Sequence, residues 1–457
     1  MKNYDIIVVG GGPGGYVAAI KGAQLGAKVA LIEKEVVGGI CLNHGCIPTK
    51  AIIKSAKTYK SLKSVAEFGI TNSGEVGFDW SAIIKRKNGI VKQLTGGVAF
   101  LLKKNGVDVY NGYAEVISGN EVKVNDENLK TKNVIIATGA SAIIPPIPGV
   151  KEAYENKVLV TSKELLQIET APKNLVIIGG GVIGIEFAAI FNSFGSKVTI
   201  IEKMETILPS MDADVRAAYA KRLKADGIDV LTKAEVKSVN QTKVTYLLDG
   251  VEQTIDSSLI LMAVGTKANL FGVEKLNLKV ERGNIITNEY LQTNLPNVYA
   301  IGDVNGKYML AHVASHEGII AVEHILKKGH NKMRYDRIPS CVYGSPEIAA
   351  IGLTEDQVKE HKIEYKVSKI PLAAVGKALC DGEKEGFIKL IVDKKHLEVL
   401  GCHIYAYNAT ELIAEFAVAM EAEATAHTIA HAIHPHPTLS ELSLEAALAV
   451  IDKAIHI

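Results

Sequence analysis

The chain has 457 residues, 47% of them hydrophobic, enough for about three domains with sizeable cores. Lysine plus arginine (51) nearly balances aspartate plus glutamate (50), and a net charge of +1 gives no electrostatic case for nucleic acid or an anionic membrane. Five cysteines in this length do not make a disulfide scaffold. No run of about 18 apolar residues is free of charges or glycine clusters, so a cytoplasmic protein with no membrane span is expected.

The first apolar run, Ile6–Val9, follows Asp5 and leads at once into glycines and Pro13, which predicts a buried strand and not a signal peptide. Residues 5–34 read as strand, glycine turn, helix, strand, and they align without a gap to residues 174–203. Gly10, Gly12 and Gly15 match Gly179, Gly181 and Gly184, while Glu33 and Glu202 each stand 23 positions beyond the first glycine. That is a dinucleotide fingerprint, present twice. The first glycine permits a tight turn, the second lets a pyrophosphate approach the backbone, and the third lets helix and strand pack closely. The phosphates then meet free N–H groups at a helix N-terminus, and the glutamates can accept ribose hydroxyls.

Directly after the first unit comes Gly38-Gly39-Ile40-Cys41-Leu42-Asn43-His44-Gly45-Cys46-Ile47-Pro48-Thr49-Lys50. Residues five apart in an ideal helix have Cα atoms roughly 8.6 Å apart, from the helix rise and turn. A disulfide needs less than about 7 Å. A Cys41–Cys46 bridge therefore requires a bent turn, which Gly45 permits. Two unrelated thiols are the bland alternative. Cys341, Cys380 and Cys402 are isolated and read as small buried hydrophobes. A thiol pair beside two dinucleotide sites suggests a tightly held flavin, FAD, at the first and a nicotinamide partner at the second. Glu202 is followed by residues 203–209 without an arginine for a 2′-phosphate, so NAD is expected over NADP, with Lys203 as the counter-argument.

Further along, Val134–Gly139 ends a strand and closes the first lobe, placing Thr138 and Gly139 at the flavin side. Gly265, after a similar strand, falls on the NAD side. Val298–Val304 reads as a buried strand ending in Gly302 and Asp303, where ligands of such sheets bind. Asp303 can bond flavin ribityl hydroxyls, or it can serve as a helix N-cap. Four segments are expected: residues 1–148 for FAD, 149–271 for NAD, 272–335 returning to the flavin domain, and 336–457. The last reads as strands and a helix over 346–405, then alanine-rich helices over 409–424 and 438–454. Between those helices stands His434-Pro435-His436-Pro437-Thr438-Leu439-Ser440-Glu441. Thr438-x-x-Glu441 matches a capping box, which gives Glu441 a purely structural role. A carboxylate fixing an imidazole is also the usual way to make a base for a dithiol.

Together these motifs resemble the pyridine nucleotide–disulfide oxidoreductases, and among them the branch that oxidises dihydrolipoamide. The resemblance spans essentially the whole chain. It implies an α/β fold of two Rossmann-like dinucleotide-binding domains with a C-terminal α+β dimerisation domain. It further implies FAD, NAD and a Cys41–Cys46 redox disulfide. Cys41 is then the outer thiol and Cys46 the one nearest the flavin. His436 is the base, Glu441 orients it, and Lys50 lies near the flavin, held by Glu186. The family forms homodimers in which His436 serves the partner's cysteines. Its lipoyl group is carried by an acyltransferase or a glycine-cleavage carrier protein of a multienzyme complex, and the same is expected here, with no lipoyl domain expected ahead of the flavin unit. Some features depart from the usual pattern: Ile40 and His44 replace a common threonine and valine, and the 264–269 segment lacks an arginine and a proline. His44, between the cysteines, is placed to lower a thiol pKa. Related reductases of another disulfide, and a structural flavoprotein subunit, are the rival readings.

Overall fold

The computed structural model describes residues 2–71 and 74–457. Two parallel sheets are built from the two repeats. In the first, Asp108–Asn111, Val29–Glu33, Asn3–Val9 and Glu127–Ile136 lie side by side in that order, and Val298–Ala300 adds parallel to Glu127–Ile136. Two antiparallel strands, Glu121–Val124 and Ala114–Ser118, complete it. Apolar runs such as Ile6–Val9 and Val29–Ile32 are buried on both faces, as parallel strands covered by helices require. The second sheet orders Asp229–Leu231, Lys197–Ile201, Asn174–Ile178, Leu259–Met262 and Leu159–Val160, all parallel. The repeat extends to the strand register: Ile6 pairs with Val29 in the first sheet, and Leu175 pairs with Val198 in the second.

A third sheet is antiparallel. Its order is Ser340–Val342, Glu347–Gly352, Val399–Ala406, Phe387–Asp393 and Tyr365–Pro371, with helices packed on it. The helices differ from the expected spans. The first runs Ala409–Glu421, a short helix covers Ala426–His431, and the last begins only at Glu441 and ends at Ile451. Thr438 is left outside the last helix because its hydroxyl donates to the Pro435 carbonyl at 2.7 Å and its amide to Glu441 at 2.9 Å. Of the three isolated cysteines only Cys402 is fully buried; Cys380 is exposed, at the end of the short Gly376–Cys380 helix.

One apolar core joins the three parts. Ile52, Ile53 and Ala56 of the Cys46–Leu62 helix pack with Ile185 and Phe191 of the second fingerprint helix and with Phe387 and Tyr405 of the third sheet. A buried ionic cluster fastens the same junction: Lys389 lies 2.9 Å from Asp212, 2.7 Å from Asp214 and 2.7 Å from Glu355. Among the described residues no helix is long and apolar enough to cross a membrane.

Candidate active site

The first fingerprint turn is built by contacts that leave no room for side chains. A Cβ at Gly10, whose φ is +105°, would lie 2.2 Å from the Ala137 carbonyl oxygen, and one at Gly15 would lie 1.8 Å from the Gly10 carbonyl oxygen. The second unit repeats this, with Gly179 meeting the Ala263 carbonyl oxygen at 2.3 Å and Gly184 meeting that of Gly179 at 2.1 Å. Gly181 has no neighbour within 4 Å of its Cβ position, and Gly12 has only the Gly39 Cα at 3.8 Å. Open glycines at the start of the Pro13–Gln24 and Val182–Ser193 helices are what a pyrophosphate needs. Glu33 accepts the Gly11 and Glu35 amides at 2.7 and 2.8 Å, and Glu202 accepts the Gly180 and Met204 amides at 2.6 Å each. Each oxygen keeps a further lone pair, so the amides fix the carboxylates without exhausting them.

The redox segment is attached to this turn. The Gly38 amide donates to the Gly11 carbonyl at 2.8 Å, and a Cβ at Gly39 would lie 2.6 Å from the Gly12 Cα. Two glycines thus bring the Gly39–His44 helix against the dinucleotide turn. That helix ends at Gly45, where a Cβ would approach the Ile40 carbonyl to 3.0 Å, and a new helix starts at Cys46. The break brings the two sulfurs into hydrogen-bonding reach, both half-buried.

The two thiols differ strongly in acidity. The hydrogen bond from Cys41, aided by Lys50, brings Cys46 down to about 7 against the opposing effect of burial. Cys41 is pushed far up, first because its proton is shared with Cys46 and then by burial. Lys50 is gripped by both Glu186 oxygens at 3.0 and 2.9 Å, and its ammonium lies 4.4 Å from the centre of the Tyr343 ring. Glu186 also accepts the Tyr343 amide at 3.1 Å. His44 is not part of this set. Its Nε2 lies 3.9 Å from Glu35, and burial, with Lys163 and Lys87, lowers its pKa.

At the far end of the chain, His436 Nδ1 lies 2.9 Å from Glu441 Oε1, while Glu441 Oε2 accepts the Thr438 amide at 2.9 Å. Glu441 therefore both orients the imidazole and ties down the turn. The His436 side chain is 76% exposed, and among the described residues no hydrogen bond or ion pair joins it to the thiols.

Thr138 is occupied: its hydroxyl donates to the Asn269 carbonyl at 2.6 Å, and the Asn269 amide nitrogen donates to the Gly139 carbonyl at 2.9 Å. These bonds and the pairing of Ala140–Ala142 with Thr266–Ala268 make a strap between the sheets, and Gly265 accepts the Ile143 amide beside it. Asp303 lies within the Gly302–Asn305 turn, not at its N-cap, which is Ile301. Burial raises the Asp303 carboxyl, so hydroxyl donors from a ligand would relieve it. The turn is held by Glu317, which motif reading missed. Fully buried, Glu317 accepts the Gly302 amide at 2.5 Å and Asn305 at 3.0 Å. A glutamate between His316 and Gly318, just before the apolar run Ile319–Val322, is the trace it leaves in the sequence. Tyr343 was also missed and has no local motif.

Comparison with known proteins gives two profile matches. A profile described as pyridine nucleotide-disulphide oxidoreductase covers residues 4–318, and its dimerisation domain covers residues 338–447. A protein of Acholeplasma laidlawii named dihydrolipoyl dehydrogenase is 71% identical over 73% of this chain and 99% of its own length. One of the same name from Bacillus subtilis is 41% identical over 99% of both chains. Among solved structures, LpdA from Mycobacterium tuberculosis superposes with a TM-score of 0.89 at 26% identity, covering 98% of this chain and 99% of that one. The HOCl-induced flavoprotein disulfide reductase RclA from Escherichia coli gives 0.87 at 28% identity, covering 98% and 100%.

Proposed function

The chain belongs to the pyridine nucleotide–disulphide oxidoreductase family, and on that premise we propose that it oxidises dihydrolipoamide to lipoamide with reduction of NAD, through a Cys41–Cys46 disulfide. The observation that carries the reading is the acidity difference within the thiol pair, held against a dinucleotide turn. The protein shares its activity with relatives named dihydrolipoyl dehydrogenase. FAD, held at the Gly10–Gly15 turn with Glu33 and Asp303, supplies when bound a two-electron link between the thiols and NAD. NAD is assigned to the Gly179–Gly184 turn with Glu202.

The chain's own residues account for the direction of attack. In disulfide exchange the better leaving sulfur is the one with the lower pKa. A substrate thiolate attacking the Cys41 sulfur expels Cys46 as thiolate, which Lys50 stabilises. The second substrate sulfur then displaces Cys41, closing the lipoyl disulfide. His436, held by Glu441, takes the substrate proton at its free Nε2. His436 and the cysteines share no bond within one chain, and the dimerisation domain supplies a second copy, so each His436 is assigned to its partner's thiols. The four-segment division at residues 148, 271 and 335 is supported by the sheet membership. A lipoyl-bearing acyltransferase or glycine-cleavage carrier is the proposed macromolecular substrate, and a cytoplasmic setting is proposed with it, since five cysteines in 457 residues do not make a disulfide scaffold.

The test is NADH formation from NAD and dihydrolipoamide by the purified flavoprotein, with glutathione and NADP as comparisons. Fast, NAD-dependent turnover that disappears in Cys46→Ser while FAD stays bound is expected. Full activity in that variant would remove the thiol mechanism, and turnover only with another disulfide would move the substrate.

A further inference from the structure

We infer that two ion pairs beside the second dinucleotide turn, Lys203–Glu235 and Lys233–Glu205, act as a specificity device that withholds lysines from a 2′-phosphate. The inference rests on the assignment of NAD to this turn and deepens it.

The strand Lys197–Ile201 leads into Glu202, whose carboxylate is fixed by the Gly180 and Met204 amides at 2.6 Å each. This carboxylate marks the ribose edge of a dinucleotide on the Gly179–Gly184 turn. The residues that follow are laced to residues 233–234: the Lys233 amide donates to the Met204 carbonyl at 2.9 Å, and the Ala234 amide to the Glu202 carbonyl at 3.0 Å. Two lysines thus flank the edge, Lys203 directly after Glu202 and Lys233 across that backbone pairing. Neither ammonium is unpaired. Lys203 ends 2.8 Å from Glu235 and Lys233 ends 2.8 Å from Glu205. The other oxygen of Glu235 takes Lys237 at 2.5 Å. Lys203 and Lys237 together hold the Glu235 carboxyl down at about 2, so it stays ionised throughout the range of enzyme assays.

The edge therefore contains three glutamates and three lysines, and it balances. A lysine next to the strand-end acid is the natural partner of a dianionic 2′-phosphate, which it would meet as a point charge. Glu202 supplies repulsion toward that phosphate, while Glu205 and Glu235 remove the attraction that would offset it. A 2′-hydroxyl needs neither lysine, so NAD is indifferent to both pairs. Excluding the competitor in this way requires no added contact with the preferred ligand.

The experiment uses Glu235→Gln in the oxidised holoenzyme. Binding of adenosine 2′,5′-bisphosphate and of adenosine 5′-monophosphate is measured by calorimetry, and kcat/KM is measured for NADPH- and NADH-driven lipoamide reduction. The bisphosphate should bind roughly three- to tenfold tighter than to the unmodified protein, with the monophosphate within about twofold. NADPH should gain by the same factor in KM and not in kcat, and the gain should fade in about 0.5 M salt. Glu235→Asp, which keeps the pair, should restore the original ratio. Lys203→Ala should have no effect on bisphosphate binding alone, yet should cancel the gain when combined with Glu235→Gln. Equal gains for both nucleotides, no gain for either, or a gain that survives loss of Lys203 would each overturn the device. Absent NADH turnover in the unmodified enzyme would instead overturn the acceptor assignment, which the calorimetric comparison does not depend on.

Discussion

Replacing Lys50 by methionine should raise the pKa of Cys46 and slow its chemistry at neutral pH. Cys46 reaches about 7 although burial pushes it up, because the Cys41 thiol and then the Lys50 ammonium pull it down, with Glu186 opposing. Removing Lys50 deletes one pull and leaves the Glu186 opposition unbalanced. Both changes act upward, and a rise of about one unit, or about 1.4 kcal/mol, is expected. At pH 7 the ionised fraction would then fall from about a half to about a tenth. The assay is the pH dependence of iodoacetamide labelling in the dithiothreitol-reduced enzyme, with tandem mass spectrometry separating Cys41 from Cys46. Adding Glu186→Gln to Lys50→Met should return part of the shift, because the opposing charge is then gone as well. The same pair of variants reads stability. Lys50→Met leaves buried Glu186 without its bidentate partner and should cost about 3 kcal/mol, the low end for a broken buried pair, since Lys50 is 30% exposed. An unchanged or lowered Cys46 titration in Lys50→Met would refute the electrostatic account, as would a double variant shifted as far as the single one.

Gly10→Ala should yield protein without flavin, because the new Cβ would sit 2.2 Å from the Ala137 carbonyl oxygen; absorbance of the purified variant near that of the parent would contradict this. His436→Gln should lower dihydrolipoamide oxidation by about a hundredfold or more, and a loss under about tenfold would mark His436 as a loop residue without a catalytic part. The Glu441 carboxyl is held below its ordinary 4.5, first by His436 and then by the Thr438 amide, so its stabilising contribution is present above that value and lost as pH falls through the folded-state pKa. Urea unfolding should therefore find Glu441→Gln weaker by about 1 kcal/mol at neutral pH, with the gap closing in acid; a gap that persisted at about pH 3 would oppose the assignment. Lys389→Met should destabilise by about 3–5 kcal/mol because it strands Asp212, which is 1% exposed, and an unchanged urea midpoint would show the cluster to be dispensable.

The repeated unit was the most legible part of the fold. Its glycines are demanded by backbone contacts a few residues away, and such local demands leave a spacing that can be read in one dimension. Gly45 was legible for the same reason, since one residue decides whether two thiols meet. The strap through Thr138 and Asn269 was not legible, because the bond joins positions 131 apart and uses ordinary residue types. His44 shows the converse error. Adjacency in sequence suggested influence on the thiols, but the helix turns its ring toward Glu35. Glu441 was undecidable from sequence, because capping and orienting ask for the same residue; in the fold the N-cap is Ser440, and the two carboxylate oxygens orient His436 and hold the preceding turn through the Thr438 amide instead.

The acidity of Cys46 shows how the repeats depend on each other. Both thiols and Lys50 belong to the first unit, yet the carboxylate that positions Lys50 comes from the second fingerprint helix, 136 residues later. That contact exists only because the Cys46–Leu62 helix packs its Ile52 and Ile53 against the second unit and the third sheet. An insertion that displaced the second unit would therefore change the thiolate, even with every residue of the redox motif intact. Tyr343 extends the dependence, since its amide holds Glu186 from the start of the C-terminal sheet. The redox pair is thus tuned where all three parts of the chain meet. Substitutions in the Ile52–Phe191 core should accordingly alter Cys46 titration as well as stability, whereas equally destabilising ones in the distant core around Val116 and Val122 should alter stability alone.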